Sequence, residues 1–110
     1  MSDRGIQVIW CTAPSDQAPA LAEALVGERL VACVNVIPGV MSTYRWQGKV
    51  ETDAEVLLMM KTTEDRVSAL ESRIQELHPY EVPEVLAMPV PWGAPAYLDW
   101  VRQQVADGDR

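Results

Sequence analysis

Three residues of this 110-residue chain carry side chains that bind soft or borderline metal ions. They are Cys11, Cys33 and His78, and the chain contains no other cysteine or histidine. Thiolate and imidazole groups are typical ligands of copper, so these residues form a candidate metal set. No Cys-x-x-Cys or His-x-His pair occurs, so only the fold could bring them together. The alternative is structural: two small buried apolar side chains, and a histidine that ends a helix and bonds to the backbone.

Acidic residues alternate along a second stretch, at Glu51, Asp53 and Glu55. Alternate residues of a strand point to the same face, so these three carboxylates would lie together. Carboxylate groups at such spacing could hold a hard cation weakly. A solvated face, or ion pairs with Arg45 and Lys49, is the alternative for this stretch.

A third candidate site involves the segment 78–85, HPYEVPEV, and the end of the strand before the second helix. Lys61 ends that strand, close to the free backbone N–H groups of the helix start, where a phosphate or carboxylate ligand is favoured. We predict that such a ligand would occupy a cleft between subunits. The residues predicted to line this cleft are Lys61, Glu55, Tyr80, Glu84 and His78. A salt bridge is the alternative for Lys61, and a stiff connection into the last strand is the alternative for the segment.

Composition and charge exclude several classes of protein. A net charge of −7 disfavours binding to nucleic acid and to an anionic membrane surface. No apolar run approaches the ~18 residues of a membrane span, and Met1 to Arg4 do not resemble a signal peptide. We therefore expect a cytoplasmic protein with reduced cysteines. A glycine-rich phosphate loop, a Gly-x-Ser-x-Gly motif and a second histidine are missing, so we predict no enzymatic activity.

Hydrophobic periodicity predicts four strands and three helices. The predicted strands cover residues 6–13, 30–46, 49–62 and 84–90. The helices lie between strands one and two, between strands three and four, and after Pro95. This order, β-α-β-β-α-β plus a C-terminal helix, is the ferredoxin-like α+β pattern. It predicts one domain over residues 1–110, with two helices on one face of an antiparallel sheet of strand order 4-1-3-2.

Local signals predict where these elements begin, bend and end. They are a helix cap at Ser15 or Asp16, a helix end at Gly27, a bulge at Pro38-Gly39, a turn at Gln47-Gly48, a second cap at Thr62 or Thr63, and a helix end at His78-Pro79. The apolar run 56–60 predicts a strand segment that is buried on both faces. Pro89 predicts that the last strand lies at an edge of the sheet.

Strands two and three form a very long hairpin for a chain of this size. Straight arms would span ~50 Å at ~3.4 Å per residue. A domain of this length has a radius of gyration of only ~13 Å, so the hairpin must bend or project. A projecting hairpin leaves strand edges and aromatic side chains in need of a partner. We therefore predict a homo-oligomer with Tyr44, Trp46 and Trp100 at its interfaces, and the alternative is a hairpin that folds over its own subunit.

Short motifs occur in a fixed order along the chain. They are Ala32-Cys33 before Pro38, Tyr44-x-Trp46-x-Gly48-Lys49, Glu55, Lys61-Thr62, His78-Pro79-Tyr80, Pro83-Glu84, and Tyr97 with Trp100. Together they resemble the CutA family of divalent-cation tolerance proteins, over roughly residues 6 to 101. The resemblance implies a tight homotrimer whose hairpins reach neighbouring subunits. It also implies a link to tolerance of copper and other divalent metals, with no assigned reaction.

The residues and the resemblance lead to three functional hypotheses. The first is a cytoplasmic trimer that binds copper or another divalent metal ion without catalysis, through Cys33, Cys11 and His78, and that needs no cofactor to fold. The second is a small-molecule or anion sensor, because the trimer of this family is similar in architecture to PII signalling proteins. The third is a stable trimeric scaffold that presents a surface to a partner protein.

Overall fold

The computed structural model describes residues 5–106 of the chain. Its strands and helices, in chain order, are β1 (Ile6–Ala13), α1 (Ala18–Gly27), β2 (Cys33–Trp46), β3 (Lys49–Thr63), α2 (Val67–Leu77), β4 (Leu86–Pro89) and α3 (Pro95–Val105). This order confirms the ferredoxin-like α+β fold with an extended hairpin and a C-terminal helix. The predicted domain limits at residues 1 and 110, and the segment from Met1 to Arg4, lie outside the described residues.

The sheet is antiparallel and has the predicted strand order, β2-β3-β1-β4. β1 lies inside the sheet, with Ile6 opposite Thr63 on β3. β4 is an edge strand, as Pro89 predicted, because it pairs only with β1. It is four residues long and therefore shorter than the predicted range 84–90.

One face of the sheet is covered by α1 and α2 and forms the main core. Its buried side chains come from both helices and from alternate residues of β1 and β3: Ile9, Cys11, Leu21, Leu25, Leu58, Met60, Leu70 and Ile74. β3 is fully buried on this face, at Val56, Leu58 and Met60, whereas Leu57 and Met59 on the other face are half-buried. Within the single chain this segment is fully buried on one face only, because α3 covers only one end of the second face.

α3 packs against the second face near the start of β1. Its Val101 and Val105 form a smaller core with Ile6 and Ala32. The remainder of this face bears exposed apolar side chains, among them Ile37, Leu86 and Met88. We call this remainder, the sheet surface that bears Ile37, Leu86 and Met88, the open face.

Two arginines hold the C-terminal end of α3 through its backbone. Arg29 donates from Nη1 to the Gln104 carbonyl at 2.7 Å. Arg66 donates from Nε and Nη2 to the Val105 carbonyl at 2.9 and 2.6 Å. Both arginines satisfy carbonyls that the helix leaves free, and their charge favours the negative end of the helix dipole.

The hairpin projects from the body of the protein. β2 and β3 shift register between Ile37 and Val40, where Gly39 has a φ of 82°, which confirms the predicted bulge. At the tip, Gln47 and Gly48 have φ values of 51° and 81°, so both adopt the left-handed conformation of a type I′ turn. Beyond the bulge most residues are exposed, and the chain extends 45 Å along its longest axis. The exposure of this part favours the predicted projection over a hairpin folded over its own subunit.

The side chains predicted to cap the first two helices have other roles. Ser15 and Asp16 lie in a turn, and α1 has no side-chain cap. Thr62 donates its hydroxyl to the Leu30 carbonyl at 2.7 Å. The buried hydroxyl of Thr63 has no hydrogen-bond partner among the described residues. Both threonines belong to β3, and a short 3-10 turn lies between this strand and α2. Neither threonine is therefore next to the first residue of α2.

Candidate functional site

A cavity of about 520 Å³ lies between the hairpin and the segment that joins α2 to β4. Three aromatic and three acidic side chains contribute to its lining: Tyr44, Trp46, Tyr80, Glu55, Glu81 and Glu84. Pockets for small molecules measure ~300 to ~1,000 Å³, so this cavity can admit a small organic ligand. Of the described side chains that line it, none is a lysine, arginine or histidine. The cavity is therefore negatively charged.

The hairpin supplies one wall, and the bulge decides which side chains form it. Before the bulge, odd-numbered residues of β2 pair with odd-numbered residues of β3, as Cys33 does with Lys61. The extra residue in β2 reverses this parity, so that Val40 pairs with Glu55. Paired residues share a face, and a shift by one residue turns every later side chain to the other face. The bulge thus puts Tyr44 and Trp46, instead of Arg45, on the face of Glu55.

The second wall comes from the segment 78–85 and is joined to the first by one hydrogen bond. Tyr80 Oη donates to Glu55 Oε2 at 2.5 Å. Glu55 is only 8% exposed, and its other oxygen has no hydrogen-bond partner among the described residues. Burial, and then the bond to Glu55, raise the pKa of Tyr80. The phenol therefore remains protonated at neutral pH and donates its hydrogen bond to one oxygen of the carboxylate.

A second phenol–carboxylate pair lies further along the hairpin. Tyr44 Oη donates to Asp53 Oδ2. This hydrogen bond, followed by desolvation, raises the pKa of Tyr44 to about 12. Both tyrosines that line the cavity are thus oriented by a carboxylate, and both are proton donors at physiological pH.

His78 supports the cavity and does not line it. Its Nδ1 accepts a hydrogen bond from the Tyr80 backbone N–H at 3.1 Å, and its Nε2 lies 2.8 Å from the Thr12 carbonyl. A backbone N–H only donates and a carbonyl only accepts, so the ring is neutral with its proton on Nε2. His78 is 6% exposed and also ends α2, as predicted. Both ring nitrogens are engaged, so the imidazole has no free lone pair for a metal ion.

The two cysteines point to opposite faces of the sheet. Cys11 pairs with Leu58 and is buried under the helices, whereas Cys33 pairs with Lys61 on the other face. Burial, and then the charges of nearby carboxylates, raise the pKa of Cys11 to about 12. Cys33 is half-buried, with its sulfur 3.7 Å from the Tyr97 hydroxyl. Both thiols are free, which agrees with the prediction that they form no disulfide.

The predicted metal set is therefore not assembled within one chain. Cys11 and Cys33 are separated by the sheet, and His78 uses both nitrogens for backbone hydrogen bonds. Across residues 5–106, no group of three histidine, cysteine, aspartate or glutamate side chains lies close enough to hold a metal ion. A metal ion held by Cys33, Cys11 or His78 would therefore need ligands from another subunit, and this assignment stays a prediction.

The predicted ligand cleft is assembled only in part. Glu55, Tyr80 and Glu84 line the cavity, but Lys61 does not. Lys61 lies six residues further along β3, ~20 Å away at ~3.4 Å per residue, and donates to Asn35 Oδ1. Without this lysine the cavity of the single chain lacks the positive charge expected for an anion, and the predicted cleft between subunits stays a prediction.

The predicted interface residues are all partly exposed. Tyr44 and Trp46 lie on the hairpin and also line the cavity, whereas Trp100 lies on α3 beside Tyr97 at a ring distance of 5.7 Å. The sequence assigned Tyr44 and Trp46 mainly to interfaces, and it did not place Glu81 in a ligand cleft. Counting the bulge as one extra residue would have placed Tyr44 and Trp46 on the face of Glu55.

The strand order, the three helices and the projecting hairpin define a ferredoxin-like α+β protein. The family model described as CutA1 divalent ion tolerance protein matches residues 7–104. This chain therefore belongs to the CutA1 divalent ion tolerance family, which confirms the resemblance that its motifs indicated.

Proteins from distant organisms are similar to this chain. The divalent-cation tolerance protein CutA of Thermus thermophilus is 50% identical over 98 residues, which cover 88% of this chain and 95% of that protein. Protein CutA of Mus musculus is 48% identical over 99 residues, which cover 89% of this chain and 56% of the mouse protein. The chain thus spans little more than half the length of this mammalian relative.

Solved structures of this family share the fold. CutA1 from Oryza sativa has a TM-score of 0.92 and 39% identity, over 97% of this chain and 99% of that one. A structure described as the periplasmic divalent cation tolerance protein CutA, from Archaeoglobus fulgidus, has a TM-score of 0.88 and 31% identity, over 92% and 99%. The cytoplasmic location of the present protein therefore stays a prediction. Within residues 5–106, every helix is too short or too polar to cross a membrane.

Proposed function

We propose that this protein is a cytoplasmic homotrimer that supports tolerance of divalent cations by binding, without catalysing a reaction. Membership in the divalent ion tolerance family supports the role in tolerance. The half-buried thiol of Cys33, on the side of the sheet that bears the open face, carries the binding part of the proposal. The test is growth of a strain that lacks its own family member in rising copper concentrations. Restored growth with this protein supports the proposal, and growth equal to that of the empty strain contradicts it.

The open face and the free edge of β2 support association of identical subunits. Leu86 and Met88 are more than half exposed, and β2 is an edge strand of 14 residues. Soluble proteins cover such apolar surface and such strand edges. The number three comes from the family resemblance. Light scattering behind size-exclusion chromatography should give three times the 12.2 kDa mass of the chain, and a stable monomer would contradict the proposal.

Binding of copper or another divalent metal ion would require ligands from more than one subunit. Cys33 is the thiol that could meet such groups, because it is half-buried and lies on the same side of the sheet as the open face. Cys11 is enclosed in the core and serves as a matched control. Copper titration should lose its tightest binding in Cys33→Ala and keep it in Cys11→Ala. Unchanged binding in Cys33→Ala would rule out thiolate capture.

A second candidate function is sensing of a small molecule, and the cavity itself favours it. The volume of the cavity suits a small organic ligand. The hydrogen bond between Tyr80 and Glu55 joins its two walls before any ligand binds. A ligand that binds only the folded protein raises its melting temperature by mass action. A thermal-shift screen of small metabolites tests this candidate, and no shift with any compound would remove it.

A further inference from the structure

We propose that the cavity binds a small organic cation, with an ammonium group carried on an apolar body. This inference rests on the second candidate function, binding of a small molecule in the cavity, and it reverses the charge of the ligand expected from the sequence. It is carried by three features of the cavity: its carboxylates, its aromatic side chains and its size.

The charge of the cavity selects a cation. Glu55, Glu81 and Glu84 line it, and none of the three has an ion-pair partner in the described part of the chain. Of the three, Glu55 should attract a cation most strongly, because it is buried away from water. Only one of its oxygens accepts the hydrogen bond from Tyr80. Its second oxygen is left for a ligand. A bound ammonium group would supply the opposite charge that this carboxylate lacks.

The size of the cavity and the separation of its carboxylates disfavour a bare metal ion. Direct metal sites need several ligands around one point, and within residues 5–106 no three acidic, histidine or cysteine side chains meet this condition. The volume of about 520 Å³ is far larger than a single ion occupies. It corresponds to a ligand of several heavy atoms that can reach separate carboxylates across the cavity.

The aromatic walls suit the same ligand class. An ammonium group is attracted to the faces of tryptophan and tyrosine rings, most strongly where water is excluded. Trp46, Tyr44 and Tyr80 line the cavity together, and each tyrosine is oriented by its bond to a carboxylate. Side chains that are already ordered lose little freedom on binding, which favours affinity. The apolar body of the ligand would contact these rings while its charge contacts the carboxylates.

The test is isothermal titration calorimetry of the assembled protein with choline and with 3,3-dimethylbutan-1-ol, its neutral carbon analogue of the same shape. We expect choline to bind and the neutral analogue to bind at least about tenfold more weakly. The choline affinity should fall about tenfold in Glu84→Gln and in Trp46→Leu. Glu71→Gln is the matched control, because it makes the same change of charge on the exposed surface of α2 and should leave the affinity unchanged.

Three outcomes would overturn the proposal in distinguishable ways. Equal binding of the two compounds, or a preference for acetate or inorganic phosphate, would reject the cation but retain a ligand-binding cavity. Equal loss of affinity in Glu84→Gln and Glu71→Gln would show general charge attraction outside the cavity. No binding of choline, the alcohol, acetate or phosphate, together with no thermal shift, would remove the sensing function itself. Circular dichroism spectra and oligomer mass that match the wild type are required of each variant.

Discussion

The two faces of the sheet differ in what their side chains can reach. Under α1 and α2, Cys11 lies in the main core, and its thiol is held neutral first of all by burial. On the other side, Glu55 is also buried, but it lines a cavity, and only one of its oxygens accepts a hydrogen bond from Tyr80. Residue type alone therefore does not decide function in this protein. The face on which a residue lies decides whether its chemistry is available.

The largest expected effect is the loss of stability on truncating a side chain under α1 and α2, compared with truncating one on the open face. Leu58→Ala should lower the free energy of unfolding by about 2 to 5 kcal/mol, because it leaves a cavity in the main core. Met88→Ala, at a side chain 54% exposed in one chain, should instead weaken subunit association. Guanidinium unfolding at several protein concentrations distinguishes the two. Equal, concentration-independent losses in both variants would show that the two faces do not differ in this way.

A smaller effect separates the two phenol–carboxylate pairs. Tyr80→Phe removes the hydrogen bond to buried Glu55 and should cost about 1 to 3 kcal/mol of stability, since one carboxylate oxygen loses its donor. Tyr44→Phe removes a similar bond to Asp53 at an exposed position, where water replaces the donor, and should cost less. Thermal unfolding of both variants measures the difference. If Tyr44→Phe costs more, the hairpin contact is the stronger one.

The smallest effect at neutral pH concerns Cys11. Burial raises the pKa of its thiol from 9.0 to about 12, so the folded protein holds this proton more tightly than the unfolded chain does. The contribution to stability is therefore complete below pH 9 and is lost as the pH rises toward 12. Cys11→Ala should flatten the decline of stability over this range while leaving its shape near neutral pH unchanged. An unaltered alkaline decline in the variant would contradict the assignment.

The same burial predicts chemical protection of Cys11. The thiolate is the reactive form, and a thiol with a raised pKa and no exposed surface has almost none of it. Iodoacetamide at pH 8, followed by mass spectrometry, should leave Cys11 unmodified in the native protein and modify it after unfolding. Rapid native modification would show that the covered face opens.

The fold could be predicted because each of its parts has a local cause. Strand alternation, the bulge at Pro38-Gly39, the turn at Gln47-Gly48 and the helix end at His78 all follow from a few neighbouring residues. The site could be predicted only in part, because it depends on register. The bulge exchanges the two faces of the hairpin, and a single residue of shift decides whether Tyr44 or Arg45 meets Glu55.

Strand pairing also decides which candidate residues meet within one subunit. Cys11, Cys33 and His78 have the right chemistry for a metal ion, but strand pairing sends the two thiols to opposite faces. Lys61 has the right charge for an anion, but it lies too far along β3 from Glu55. Both facts depend on strand pairing and on position along a strand and not on residue type, so composition could not reveal them.

Arg29 and Arg66 bind the backbone of α3, and this affects which amino acids the last turn of the helix can contain. Both guanidinium groups donate to main-chain oxygens, which every amino acid supplies. These hydrogen bonds do not involve the side chain of Gln104. Position 104 can therefore accept many replacements while the helix stays anchored, whereas losing either arginine would loosen the anchor whatever residues follow.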